Sequence, residues 1–172
     1  MPQNVLIAGA PGIGKTKLVN HLYRDLSPLL VRGFHKEAIS ESDVLKGFRL
    51  STFNFKELIL AHVHIEGPDR YQEFGLNLDG FEEIISGQFD TSGHIELFLI
   101  DEVGPMECIS KLFRHKFIEI LDSDIPVIAT LASIDILGIL GIKKRKDISL
   151  LKMTHNNRDS MWKNVLVEIS KV

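Results

Sequence analysis

The chain has 172 residues, of which 44% are hydrophobic and 25% are charged, and its formal net charge is −3. This length favours one domain, residues 1–172, with a core large enough to need no metal or disulfide for its stability. The ordinary composition excludes a disordered chain, and the slightly acidic charge excludes the broad positive field that collects nucleic acid or anionic membrane.

The single cysteine and the first residues bear on the compartment. Cys108 has no second thiol with which to form a disulfide or a CxxC site, and this favours a reducing environment. The N-terminal segment has no cationic stretch, and the apolar run at 5–8 is too short for a signal peptide or a membrane span. We therefore expect a cytoplasmic monomer with neither a membrane nor a nucleic-acid partner.

The first third of the chain predicts a strand, a helix and a meander. Residues 5–8 are apolar, branched and followed by glycine, which is typical of a parallel strand buried on both faces. Apolar residues recur at helical spacing from Lys15 to about Leu26, and we predict a helix there. The stretch 31–65 has short segments of strand character, which we interpret as an antiparallel meander with strands at 34–39, 48–53 and 58–65.

The rest of the chain predicts alternating strands and helices. The predicted strands lie at 95–100, 125–131 and 148–153, and the predicted helices at 79–86 with Asp79 as N-cap, at about 112–121, and at 158–170. Strand, helix and strand in this order favour parallel βαβ units. We therefore expect an α/β fold in three layers, with a mainly parallel central sheet and the antiparallel meander added to it.

A phosphate-binding loop is predicted directly after the first strand. Residues 9–16 match the pattern GxxxxGK[ST] at every fixed position, between a predicted strand and a predicted helix. Backbone N–H groups and the helix N-terminus can then surround phosphate oxygens, while Lys15 reaches the β- and γ-phosphates and Thr16 ligates Mg²⁺. A glycine-rich turn without a ligand is the alternative, and the complete match argues against it. The predicted nucleotide-binding residues here are Gly9, Ala10, Pro11, Gly12, Ile13, Gly14, Lys15, Thr16 and Lys17.

Two adjacent carboxylates follow the predicted strand at 95–100. Asp101 lies at the strand end where a P-loop needs an acidic partner for magnesium, and Glu102 is the candidate that orients or deprotonates water. The pair favours hydrolysis, since an enzyme that transfers the phosphoryl group to an acceptor has to exclude that water. A solvated loop start after a core strand is the alternative for both residues.

Other cations are candidates for contact with the transferred phosphoryl group. The basic run 143–146 follows two glycines and can form a mobile flap, in which Arg145 is the candidate catalytic arginine. A charge run of this kind is more often a solvated face. Arg158, for nucleotide contact or a helix start, and Arg70, for the crevice, are further possibilities, although a structural role is favoured for both. The only close pair of histidines, His62 and His64, has no carboxylate or thiol at ligand spacing beside it, so we expect no transition-metal site.

These motifs resemble those of the P-loop nucleoside-triphosphatase family that includes the human cancer-related nucleoside-triphosphatase and thermostable homologues from hyperthermophiles. The resemblance runs nearly end to end, and the combination of its motifs is fairly specific. The motifs are GAPGIGKTKL near the start, Glu37, the pair Gly47-Phe48, LFLIDEVGPME, PVIAT from Pro126, and NRD at Asn157-Arg158-Asp159.

The resemblance implies slow, magnesium-dependent hydrolysis of ATP, GTP and other triphosphates to diphosphates, on a nucleotide-kinase-like fold. It also implies a second nucleotide-facing segment, which consists of Leu99, Ile100, Asp101, Glu102, Val103, Gly104, Pro105 and Met106. The chain departs from the family at Pro105, where a lysine is usual, and after Glu37, where no arginine follows. Two other functions stay open from the residues alone: a nucleoside or nucleotide kinase with the basic run as its lid, and a nucleotide-dependent switch or assembly factor.

Overall fold

The structure is a computed structural model that describes residues 4–170, and it contains nine strands and five α-helices in that range. The strands are β1 (Asn4–Gly9), β2 (Val31–Glu41), β3 (Val44–Thr52), β4 (Glu57–His62), β5 (Arg70–Tyr71), β6 (Phe74–Leu76), β7 (Leu97–Val103), β8 (Val127–Leu131) and β9 (Ile148–Met153). The helices are α1 (Lys15–Asp25), α2 (Leu78–Gln88), α3 (Lys111–Asp122), α4 (Ile136–Ile139) and α5 (Met161–Ile169), with a short 3-10 helix at Glu107–Ile109.

All nine strands form one mixed sheet in the order β5-β6-β4-β3-β2-β7-β8-β1-β9. The pairings from β2 across to β9 are parallel, and those from β2 to β5 are antiparallel, four of each. The expectation of a mainly parallel sheet was therefore wrong. The meander is larger than predicted because it continues past β4 into the short hairpin of β5 and β6, where no strand was predicted.

Helices cover both faces of the sheet and make two separate cores. Alternate residues of β1 point to opposite faces, so that Leu6 packs with the phenylalanines of α2 and α3, whereas Val5 and Ile7 pack with α1 and α5. The core on the α2 and α3 side is rich in aromatic rings, and the ring centroid of Phe34 of β2 lies 6.0–6.3 Å from the centroids of three others. The predicted three layers are present.

Most predicted elements exist, and their ends differ. The helix predicted at 79–86 spans Leu78–Gln88, and its N-cap is Asn77 rather than Asp79, because the Asn77 side chain accepts a hydrogen bond from the backbone of Gly80 at 3.1 Å. The closing helix begins at Met161 rather than at Arg158. Within residues 4–170, no helix combines the length and the apolar character that crossing a membrane requires.

Candidate active site

The predicted phosphate loop lies at the C-terminal end of β1 and leads directly into α1. Gly14 precedes the first helical residue with a φ of +112°, a conformation that side chains rarely adopt, and no side chain caps the helix. The N-terminal backbone of α1 is therefore open towards a cleft of about 440 Å³. The loop and helix residues that line this cleft are Pro11, Gly12, Gly14, Lys15, Thr16 and Lys17.

Three other loop residues, Gly9, Ala10 and Ile13, do not line the cleft and instead hold the loop in its conformation. The Lys15 ammonium donates hydrogen bonds to the carbonyl oxygens of Gly9 at 2.7 Å and Ala10 at 3.4 Å. Ile13 is buried in the core beside α1, and its backbone N–H donates to the Ala10 carbonyl at 3.2 Å. The loop is thus closed by its own side chain and backbone, and Ile13 contributes packing rather than a side-chain contact to the cleft.

Asp101 connects the helix that follows the loop with the middle of the sheet. One of its carboxylate oxygens accepts a hydrogen bond from the Thr16 hydroxyl at 2.7 Å, and the other accepts one from Thr130 at 2.6 Å. Asp101 and Thr130 are both buried. The strand of Asp101, β7, is not the neighbour of β1, since β8 lies between them and supplies Thr130. The position of Asp101 beside Thr16 therefore depends on a hydroxyl from a third strand.

Glu102 lies in the same cleft with its carboxylate 3.7 Å from the Lys15 ammonium. Burial raises the pKa of this carboxyl above its ordinary value, and the nearby Lys36 and Lys15 oppose that increase while Glu107 and Asp101 add to it. A carboxylate with a raised pKa is a better proton acceptor than an ordinary one. The arrangement can therefore take a proton from a water molecule in the cleft.

A buried ion pair borders the cleft on the β2 side. The Lys36 ammonium contacts Glu107 at 2.5 Å, and their side chains are 10% and 0% exposed. The other Glu107 oxygen accepts a hydrogen bond from the backbone of Gly104 at 3.0 Å. Burial lowers the pKa of Lys36, but the charge and hydrogen bond of Glu107, with smaller contributions from Glu102 and Asp101, outweigh this and raise it.

Sequence reasoning missed Lys36 and Glu107. Lys36 lies in the β2 stretch, where nothing in the sequence shows which face of the strand meets the cleft. Glu107 follows the acidic motif and looks like an exposed loop residue, although it is fully buried. The signal that could have found it is its position directly after GPM, at the start of a turn, where a carboxylate can accept the backbone N–H of Gly104.

The residues in the cleft suit a magnesium ion. Thr16 and Asp101 offer a hydroxyl and a carboxylate oxygen, the hard ligands that Mg²⁺ takes beside water and substrate phosphates. Their direct hydrogen bond shows that both oxygens can reach one point of the cleft. Among residues 4–170, no group of three or more His, Cys, Asp or Glu side chains could hold a metal ion by itself.

Comparison with known proteins places the chain in a family. The family profile described as NTPase matches residues 4–166. The chain belongs to this nucleoside-triphosphatase family. Nucleoside-triphosphatase THEP1 of Thermotoga maritima is 33% identical over 94% of this chain and 92% of its own length, and THEP1 of Methanosarcina acetivorans is 31% identical over 91% of each. By their names these relatives are hydrolases, so the family is one of enzymes.

Two solved structures of the family share the fold. THEP1 from the hyperthermophile Aquifex aeolicus has a TM-score of 0.80 and 28% identity, over 96% of this chain and 98% of the other. A human cancer-related nucleoside triphosphatase, solved in solution, has a TM-score of 0.74 and 25% identity over 96% of each chain. The resemblance inferred from the motifs is thus confirmed.

Only two residues of the segment implied to face the nucleotide, 99–106, line the cleft. Of these eight residues, Asp101 and Glu102 line the cleft. Four others are buried in the two cores and cannot contact a ligand, because strand alternation and the turn after β7 direct them into the protein: Leu99, Ile100, Val103 and Met106. Gly104 acts through its hydrogen bond with Glu107, and Pro105 is exposed outside the cleft.

Arg145 does not reach the cleft, which corrects the expectation of a catalytic arginine. Its guanidinium donates hydrogen bonds to Asp122, to both carboxylate oxygens of Asp147 and to the Leu121 carbonyl. The Asn4 side chain bonds the same Asp147 and Leu121, so Arg145 lies near the start of β1. The cleft is at the other end of this strand, about 16 Å away at roughly 3.3 Å per residue.

The two other arginine candidates, Arg70 and Arg158, do not line the cleft either. Arg70 donates to the carbonyl of Glu73 within the β5–β6 hairpin and does not line the cleft. Arg158 is exposed and lines a second cavity, of about 310 Å³, on the other side of the phosphate loop. Gly12, Gly14 and Lys17 line both the cleft and this cavity, so the two spaces meet at the loop.

Proposed function

We propose that the protein hydrolyses nucleoside triphosphates, including ATP and GTP, to the diphosphate and phosphate in a magnesium-dependent reaction. We propose also that its fold is that of a P-loop NTPase and that it works in the cytoplasm, to which its free buried cysteine, Cys108, is suited. The family profile and the names of the THEP1 relatives support a nucleoside triphosphate as substrate. They do not favour the kinase alternative.

One observation carries the proposal: a single cleft combines the phosphate loop with Asp101 and Glu102. Thr16, the second residue of α1, bonds Asp101 at 2.7 Å, and Lys15, the first, lies 3.7 Å from Glu102. The two partners in each of these contacts are 85 or more positions apart in the sequence, so only the fold brings them together. A glycine-rich turn with no ligand would not need two buried polar residues, Lys15 and Asp101, beside it.

In the proposed reaction the loop amides and Lys15 hold the β- and γ-phosphates, and Thr16 and Asp101 hold Mg²⁺. When bound, the ion neutralises charge that develops on the phosphate oxygens. Glu102 orients a water molecule and accepts its proton while the water oxygen bonds to the γ-phosphorus. The bond from this phosphorus to the β,γ-bridging oxygen breaks, and the diphosphate leaves with that oxygen. Binding of the triphosphate would draw Lys15 away from Glu102, which frees the carboxylate to act as base.

The test is phosphate release from each triphosphate with Mg²⁺, with and without a panel of nucleosides and monophosphates as acceptors. We expect release that does not depend on an acceptor. Diphosphate formation that requires an acceptor would show a phosphotransferase instead, and turnover that appears only with a protein partner would show a switch.

A pair of variants separates binding from chemistry. Glu102→Gln keeps the shape of the side chain but cannot accept a proton, so we expect release to fall at least about 100-fold while triphosphate binding persists. Asp101→Asn should instead raise the Mg²⁺ concentration needed for half-maximal release. Unchanged turnover in Glu102→Gln would remove this residue from its proposed role.

A further inference from the structure

The second cavity beside the phosphate loop has aromatic and apolar walls. It has a volume of about 310 Å³ and is lined by residues of the loop, of α1, of the end of β9 and of α5. Trp162 and His21 are its aromatic residues, and Met153 and Leu18 are apolar. Arg158 and Asp159, both exposed, stand at its rim. None of these side chains has a part in the phosphate chemistry described above.

The two rings are held together by the packing of α5 on α1. Met161 and Val165 of α5 are buried in the core that contains the apolar face of α1, and this leaves Trp162 partly buried at the margin. The Trp162 and His21 ring centroids are 5.0 Å apart with planes inclined by 51°. The Lys163 ammonium lies 5.4 Å from the centre of the Trp162 ring, a cation–π distance. The rings therefore form a preformed shelf rather than two independent side chains.

The shelf lies where a group attached to a bound phosphate tail would extend. Lys17 and His21 are four residues apart and so lie on the same face of α1, with Lys17 lining both the cleft and the cavity. A planar heteroaromatic ring suits such walls, since every nucleobase has a face that stacks on aromatic side chains. The cavity has few charged groups for an extended anion: beside Lys17, the only other cation among its described lining residues is the exposed Arg158.

We propose that the base of the bound nucleoside triphosphate binds at this shelf while its phosphates occupy the cleft, with the base stacked on Trp162 and with His21, whose plane is inclined by 51°, against the edge of the stack. This inference rests on the proposed function and extends it from the phosphate tail to the nucleoside. Stacking recognises a base by its ring face rather than by its edge. The shelf thus contributes to the affinity for every nucleoside triphosphate and does not distinguish one base from another.

The experiment uses the fact that Trp162 is the only tryptophan of the chain. The full-length protein with Mg²⁺ is titrated with an ATP analogue that has a β,γ-imido bridge, and separately with inorganic tripolyphosphate, which has neither base nor ribose. Tryptophan emission is followed with excitation at the long-wavelength edge of indole absorption, and binding is measured in parallel by calorimetry. We expect both ligands to bind and only the nucleotide to change the emission.

Variants then test the contact itself. Trp162→Ala should weaken binding of the ATP analogue about 5- to 150-fold, the range for loss of one base-stacking contact, and leave tripolyphosphate binding unchanged. Trp162→Phe keeps a ring and should recover most of this affinity, which a loss of folding would not allow. His21→Ala should produce a smaller loss of the same kind, with the emission of Trp162 still available as a signal.

The results distinguish a failure of the base shelf alone from a failure of the proposed function. If the nucleotide and tripolyphosphate change the emission equally, or if Trp162→Ala weakens both ligands by the same factor, the shelf does not bind the base, although the phosphate site stands. If neither ligand gives heat or a change in emission, the shelf and the proposed function are both wrong. A loss confined to the nucleotide and restored by Trp162→Phe supports the shelf.

Discussion

The ion pair of Lys36 and Glu107 offers the sharpest test of how the cleft is held together. Lys36→Met removes the ammonium from a contact of 2.5 Å and leaves a carboxylate that is fully buried. Breaking such a pair from one side costs about 3–5 kcal/mol, because the remaining charge has lost its partner and has no water. For a chain of this size, that loss lowers the melting temperature by about 6–20 °C.

The assay is equilibrium unfolding in urea, followed by far-ultraviolet circular dichroism. At an m-value of about 2 kcal/mol/M, the expected loss moves the midpoint of Lys36→Met by roughly 2 M. Glu107→Gln should lose a comparable amount, and the double variant should recover part of the sum, because two neutral side chains leave no unpaired charge while the glutamine can still accept the Gly104 N–H. Glu119→Gln is the matched control, since it breaks an exposed contact of 2.7 Å with Lys116 and should leave the midpoint unchanged.

Two results would contradict this reasoning. If Lys36→Met unfolds at the same urea concentration as the control, the pair is not buried in solution. If the two single losses add without recovery in the double variant, the residues do not interact with each other, and Lys36 and Glu107 act through other neighbours.

Three further predictions concern other side chains. Hydrogen bonds from Arg145 hold the pKa of Asp147 below its ordinary value in the folded protein. The ionised carboxylate therefore stabilises the fold above about pH 4, and this contribution disappears as the pH falls through the pKa of Asp147 in the folded state. Asp147→Asn should lower the free energy of unfolding at neutral pH and make this free energy less dependent on acid pH, as measured by urea unfolding. Burial raises the pKa of Cys108 to about 11, so a chromogenic disulfide should label it only upon unfolding, and rapid labelling of native protein would contradict this. Thr130→Val removes the donor to Asp101 and should cost about 1–3 kcal/mol and raise the Mg²⁺ needed for phosphate release, whereas Thr130→Ser keeps the donor and should leave the Mg²⁺ requirement unchanged.

The parts of the site that could be predicted from sequence are those formed by residues that lie close together in the sequence. The loop at 9–16 is a local motif, and its glycines, Lys15 and Thr16 belong to one continuous turn at the start of a helix. The place of Asp101 followed from a second local pattern, an apolar strand that ends in an acid. The contact between Thr16 and Asp101 was expected from their roles, and the fold provides it at 2.7 Å.

The parts that could not be predicted depend on which strands become neighbours. The insertion of β8 between β1 and β7 makes Thr130 a partner of Asp101, and hydrophobic periodicity carries no information on strand order. Lys36 meets the cleft only because β2 pairs in parallel with β7, with His35 in register with Asp101. No motif in the sequence marks Trp162, and only the contact of α5 with α1 shows that it borders a cavity at the phosphate loop.

The positions of Arg145 and Lys36 in the fold show why a run of basic residues in the sequence is weak evidence for a catalytic cation. Arg145 stands in a run of four basic residues, yet it bonds two aspartates and a backbone carbonyl at the far end of β1, so reaching the cleft would break every one of these contacts. Lys36 stands between His35 and Glu37 and not in a basic run, but it borders the cleft beside Glu102 and its charge is kept by a buried partner. A buried charge acts through a lower effective dielectric than an exposed one, so we expect Lys36 to influence a bound phosphate more than cations at the far end of β1 could. The cation on the β2 side of the cleft is therefore supplied by a strand of the sheet, whose position is set by its pairing, and not by a mobile flap.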